Sequence, residues 1–187
     1  MDIYLIRHTQ TNTLPGLCYG QSEVGLADSF AAECRCLAEK LPERKPDCVV
    51  FSSPLLRCTQ LAETFSTNIK RDARLLELNF GDWEMRRFDD LDTDTVKHWA
   101  EHFVKVAPPN GESFSDLVMR AGDFWQDLLK ADAEQVLVIT HAGVIRAFLG
   151  HILELPLANA FQFKVEAGSV HKLQVLHSYT SIHYLNH

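Results

Sequence analysis

Two short apolar runs, each ending on a histidine, constrain this chain more than any other feature. Ile3-Tyr4-Leu5-Ile6 leads into Arg7-His8-Thr9, and Val136-Leu137-Val138-Ile139 leads into Thr140-His141. Apolar, partly β-branched runs of this length read as buried strands. Strand C-termini in an α/β sheet open onto the ligand crevice, so the two imidazoles are expected to converge on one edge of one sheet. Arg7, next to the first imidazole, points to an anion at that edge.

Further strand signals fall at residues 47–52 and 169–176, and helix-like segments separate the first three strands. That alternation predicts an α/β fold: a three-layer sandwich with a mostly parallel central sheet flanked by helices. One helix is expected over residues 29–40, where Phe30, Cys34, Leu37, Ala38 and Leu41 recur at helical spacing before Pro42. Ser53-Pro54 reads as an N-cap followed by proline at the first helical position, which predicts a helix over 54–66 with Arg57 in its first turn. Ser113 with Asp116 three residues on resembles a capping box for a helix running towards Lys130. A last helix is expected from about 143 to 154, closed by Pro156. Residues 68–111, rich in charge and aromatics, are expected to form a small helical cap inserted in a single domain spanning 1–187.

At 187 residues such a chain buries roughly 70% of its unfolded surface without disulfide staples. The five scattered cysteines therefore read as reduced thiols, and with no leader-like N-terminus a cytoplasmic protein is expected. The longest apolar stretch, 136–153, is broken by His141, Arg146 and His151, which argues against a membrane span. A net charge of −7 argues against a nucleic-acid partner. An anionic ligand must then be held by a few convergent arginines inside a crevice. No cysteine or histidine grouping has metal-ligand spacing, so no metal and no cofactor are expected, and the histidines at 98, 102, 151, 171, 177, 183 and 187 are read as structural or surface residues. The residues set no oligomeric state; a homodimer is compatible with them.

A strand-end histidine taken alone is ordinarily a satisfied structural residue. Here Arg7, Arg57 and a matching second histidine favour chemistry, because neutral imidazole can attack phosphorus and guanidinium matches phosphate geometry. The segments Leu5-Ile6-Arg7-His8-Thr9-Gln10-Thr11, Ser52-Ser53-Pro54-Leu55-Leu56-Arg57 and Thr140-His141-Ala142-Gly143 resemble the motifs of the histidine phosphatase, or phosphoglycerate mutase-like, superfamily. The resemblance implies a phosphomonoesterase in which His8 becomes a phosphohistidine, Arg7 and Arg57 clamp the phosphate, and His141 donates to a phosphoryl oxygen. Ala142 opens a helix N-terminus that favours the same anion.

Some members carry an aspartate directly after the second histidine as proton donor, and Ala142 cannot serve. The resemblance of Leu75-Leu76-Glu77-Leu78 to the glutamate segment of another branch gives that role to Glu77, with Asp82 and Glu84 as substitutes. The family's phosphate-binding asparagine has no counterpart six residues after His8, where Leu14 stands, and Asn12 is the available replacement. Phe80-Gly81-Asp82-Trp83-Glu84-Met85-Arg86, Cys18-Tyr19-Gly20-Gln21 and Pro109-Asn110-Gly111-Glu112-Ser113 resemble the cobalamin-pathway branch, which acts on α-ribazole 5′-phosphate. On that resemblance Trp83 stacks on the substrate's base, although it can equally pack the cap. A broad-specificity phosphatase, a phosphoglycerate mutase and a silent binder of phosphorylated ligands are the alternatives.

Overall fold

A computed structural model describes residues 1–177 and 179–187. Six strands, β1 (Asp2–Arg7), β2 (Val49–Ser52), β3 (Ile69–Arg71), β4 (Gln135–Thr140), β5 (Val170–Leu176) and β6 (Tyr179–Tyr184), form one sheet in the order β3-β2-β4-β1-β5-β6. The four strands on the β3 side run parallel, and β5 and β6 are antiparallel to their neighbours.

Side-chain alternation sends each central strand into two cores. Ile3, Leu5, Val136 and Val138 pack on one face against α4 (Phe114–Leu128) and α5 (Ala142–Ile152). Tyr4, Ile6, Leu137 and Ile139 pack on the other against α1 (Phe30–Lys40) and α2 (Leu56–Glu63). The three layers expected from the sequence follow from this two-sided burial. The Ser113–Asp116 capping box opens α4 as anticipated.

Two expectations change. The helix after Ser53-Pro54 starts at Leu56, and Ser53 does not cap it. Its hydroxyl lies 2.8 Å from His141 Nε2 instead, so the oxygen that would cap a helix is used at the sheet edge. The stretch 68–111 opens with β3, paired in parallel with β2, before helical structure begins. Three 3₁₀ turns (Ala73–Leu75, Gly81–Trp83, Phe88–Asp90) and α3 (Thr93–His102) follow. Trp83, Leu91 and Cys18 form a small apolar cluster of their own there, separate from the two main cores. Among the described residues no helix is long and apolar enough to cross a membrane.

Candidate active site

The register of the central strands builds the floor of the site. Arg7 pairs with Thr140 across β1 and β4, so His8 and His141 each stand one residue beyond the same rung. β2 ends level with them, its Ser52 opposite Ile139, which delivers Ser53 to the same edge.

His8 is 3% exposed. Its Nδ1 lies 2.7 Å from the Thr9 carbonyl oxygen, which can only accept, so Nδ1 carries the proton and Nε2 keeps its lone pair. Burial first, then the charges of Arg57 and Arg7, lower its pKa to about 3. The imidazole is therefore neutral at physiological pH. His141 meets it edge-on, with ring centroids 5.2 Å apart. Fully buried, it is pushed well below the ordinary histidine range by desolvation, then by His8 and the arginines. Ser53 Oγ and, at 3.5 Å, Cys58 Sγ stand at its Nε2.

Arg57, in the first turn of α2, is 0% exposed. Its Nη1 and Nη2 donate to the carbonyls of Ser22 and Gly20 at 2.9 and 2.5 Å, and the guanidinium lies over the Tyr19 ring. Arg7 donates from Nη1 to the Val165 carbonyl at 2.7 Å. The Nε of each has no partner, and among the described residues no carboxylate lies within ion-pairing distance of either. Charge buried without a counter-charge is costly, and the arrangement becomes favourable when an anion sits between the two.

Glu84 holds the loop that grips Arg57. Its carboxylate accepts from the amides of Gly20, Gln21, Ser22 and Phe80 and from the Ser22 hydroxyl. Burial pushes its pKa up, but these donors outweigh burial and hold it below the ordinary range. Glu84 is thus a clamp and not a free acid. Gly20 is required where it stands, because a Cβ there would lie 1.9 Å from the Leu78 carbonyl oxygen.

A cavity of about 150 Å³ opens above His8, Arg7 and Arg57 and reaches Glu77, Ala142, Gly143 and Arg146, with Tyr19, Leu78, Phe80, Phe114, Leu117 and Phe161 as its remaining walls. Glu77 Oε2 accepts from the Gly143 amide at the N-terminus of α5, and Oε1 from its neighbour's amide at Leu78. The free amides of a helix start attract an acceptor, and the Glu77 side chain takes that place. Arg146 was not singled out by the sequence as a site residue. It lies four residues after Ala142 and so on the same helix face, which is the signal that could have found it. Its Nε donates to the Phe163 carbonyl and its guanidinium lies 4.8 Å over Phe161. Burial, and then Arg7, lower its pKa against the opposing pull of Glu77.

The structure brings together His8, Arg7, Arg57, Glu77 and Ala142 at the cavity, with His141 packed directly behind His8. Two expected substrate contacts are not among them. Trp83 is 4% exposed and packs edge-on against Trp99 and Phe88 in the cap cluster, outside the cavity. A ring with so little free face has no platform to offer a base. Asn12 is exposed on the loop after β1, where its side chain covers Gly25. Of the substitute acids, Asp82 accepts from the Asn110 side chain at the surface.

The model of the histidine phosphatase superfamily (branch 1) matches residues 3–187. The chain is 27% identical to the adenosylcobalamin/alpha-ribazole phosphatase of Salmonella typhimurium, covering 100% of this chain and 96% of that protein. It is 25% identical to a putative phosphoserine phosphatase 2 of Hydrogenobacter thermophilus, covering 98% and 94%. The crystal structure of the alpha-ribazole phosphatase from Shigella flexneri superposes with a TM-score of 0.91 at 26% identity, covering 100% of this chain and 96% of that one.

Proposed function

The chain belongs to the histidine phosphatase superfamily, and on that premise we propose that it hydrolyses α-ribazole 5′-phosphate through a phosphohistidine at His8. It is a phosphoric monoester hydrolase, and its relatives named for α-ribazole motivate the substrate. One observation carries the chemistry: the buried guanidinium of Arg57 and the half-buried one of Arg7, neither with a carboxylate partner among the described residues, flank an imidazole that is held neutral with Nε2 unprotonated.

In the proposed reaction Arg7 and Arg57 hold the phosphoryl oxygens and neutralise their charge. The Nε2 lone pair of His8 forms the N–P bond as the P–O ester bond breaks, and the departing alkoxide takes a proton from the Glu77 carboxyl group. Water then attacks phosphorus, its proton passes to the Glu77 carboxylate, and the N–P bond breaks to release phosphate. His141, its Nε2 facing Ser53 Oγ, packs directly behind His8 and supports its ring. With Trp83 turned into the cap, the aromatic walls left for a flat base are Tyr19, Phe80, Phe114 and Phe161.

Arg146 favours a second reading. Only its Nε has a protein partner among the described residues, so Nη1 and Nη2 are free to bind a carboxylate on the leaving group, as phosphoserine carries.

Both readings are tested by one panel: α-ribazole 5′-phosphate, ribose 5-phosphate, phosphoserine and 3-phosphoglycerate. The expected outcome is a kcat/KM for α-ribazole 5′-phosphate at least about tenfold above that for ribose 5-phosphate, which keeps phosphate and sugar but lacks the base. A preference for phosphoserine replaces the first reading with the second, and isomerisation of 3-phosphoglycerate overturns hydrolysis as the main reaction. In all cases His8→Ala is expected to lower turnover by about 10⁴-fold or more and to abolish acid-labile phosphate on the protein. Labile phosphate persisting in the folded variant moves the nucleophile elsewhere.

A further inference from the structure

Outside the cavity, on the far side of the segment that carries Glu77, a single guanidinium from α4 meets a row of carbonyl groups. Arg120 Nη1 donates to the carbonyls of Arg74 and Leu76 at 2.8 and 2.6 Å, and Nη2 donates to the carbonyl of Glu77 itself at 2.9 Å. The remaining edge pairs with Glu112, at 2.7 Å from Nη2 and 3.1 Å from Nε. The segment is a 3₁₀ turn followed by extended chain, without a ladder of its own to satisfy these oxygens. Gln21 Nε2 reaches the Glu77 carbonyl from the other side at 3.0 Å.

We propose that Arg120, oriented by Glu112, is a positioning residue that fixes the Glu77 backbone so that its carboxyl group meets the leaving oxygen. The inference rests on Glu77 being the proton donor. Geometry requires an arginine: three carbonyls on successive bends of the chain need a planar fork of donors, and a lysine ammonium is a single point. Misplacement of a catalytic group by about 1 Å costs about 10²-fold in rate, so a fixed backbone at residue 77 has kinetic value. Arg120 does not line the cavity and so contributes nothing to phosphate binding directly.

The test is leaving-group dependence in Arg120→Lys and Glu112→Gln, with Glu77→Gln as the reference. On ribose 5-phosphate, whose alkoxide needs a proton, kcat should fall about tenfold with KM within about twofold; on p-nitrophenyl phosphate, whose phenolate leaves unaided, the loss should stay below about threefold. Adding Arg120→Lys to Glu77→Gln should cost little more, because both act through one proton transfer. Equal losses on the two substrates, or a full additional loss in the double variant, overturn the positioning role while leaving Glu77 as the acid. If Glu77→Gln itself slows both substrates equally, the general-acid assignment fails and the inference falls with it. Should the Arg120 variants melt below assay temperature, Gln21→Ala removes one bond to the same carbonyl, and a loss of about threefold confined to ribose 5-phosphate is expected; an equal loss on both substrates counts against the proposal.

Discussion

The two halves of the site are built by different means. On the sheet side, His8, His141, Ser53 and Arg57 are each no more than 3% exposed; the ends of β1, β2 and β4 set the positions of the first three rung by rung, and the first turn of α2 sets that of Arg57. On the opposite side Glu77 and Phe80 hang from 3₁₀ turns, and Phe161 is 50% exposed. Every phosphate ester presents the same phosphoryl group, so the half that would hold it can be rigid. Esters differ in their leaving groups, so the half that would discriminate lies where loops change without disturbing a core.

The sharpest way to break this comparison is to remove charge from the rigid half. Arg57→Met is expected to lower kcat/KM by about 10²- to 10³-fold, and by the same factor for p-nitrophenyl phosphate as for ribose 5-phosphate. Its thermal midpoint in phosphate-free buffer is expected to change little, since the variant removes a buried charge that has no counter-charge but leaves the Ser22 and Gly20 carbonyls without their donor. Kinetics on both esters together with thermal unfolding check this. A loss that depends on the leaving group would mean that the two halves are not separate in function.

A smaller effect concerns pH. The sheet side holds three buried neutral histidines: His8 with its pKa lowered to about 3, His171 lowered to about 4 and His141 well below the usual 6.5. His171 is desolvated first and then repelled by Arg146; its Nδ1 accepts from the Asn186 amide while Nε2 faces Ser169 Oγ. Below pH 6.5 the unfolded chain binds protons at these residues that the native state refuses, so stability rises with pH in this window and is lost as pH falls from 6.5 towards 4. The carboxylate clamp Glu84 acts lower: its folded pKa lies below the ordinary 4.5, so its contribution is present above 4.5 and lost as pH falls further. Urea unfolding between pH 7 and 5 should show the histidine slope, and His171→Gln should reduce it by up to about one proton, or about 1.4 kcal/mol per pH unit. An unchanged slope would mean that His171 titrates normally in the native protein.

The halves also differed in how far the sequence revealed them. Sheet-side residues were legible because each directly follows a local apolar run, so finding the strands β1 and β4 also locates His8 and His141. Arg57 was legible for a similar reason, from a proline that marks a helix start. The strands β3 and β6 lack this signature: β3 is three residues with two exposed, and β6 is intermediate or exposed along its length. The cap side depends on contacts between distant segments. Trp83 looked available beside Gly81, and only the approach of Trp99 and Phe88 buries it. In the sequence Ser53 reads as a helix cap because its partner, His141, lies 88 residues away. Arg120 and Glu112 gave no sign of reaching Glu77, since what they hold is main-chain carbonyls.

The smallest expected effect tests where the rigid half ends. Asn12 stands on the loop just past His8, and kinship with the family made it a candidate phosphate ligand. In the structure its backbone amide donates to the Gly25 carbonyl, and its side chain fills the space a Cβ on Gly25 would need, 2.7 Å from Asn12 Nδ2. The neighbouring Thr11–Leu26 bridge ties the two strands of this loop together. An exposed amide occupied with loop packing and absent from the cavity wall has no route to the phosphate between Arg7 and Arg57. Asn12→Ala should therefore leave kcat/KM within about twofold for every ester and cost no more than about 0.5 kcal/mol of stability. A uniform loss of about tenfold or more, with weaker inhibition by inorganic phosphate, would place Asn12 on the phosphate and extend the rigid half from the strand ends into the loop behind them.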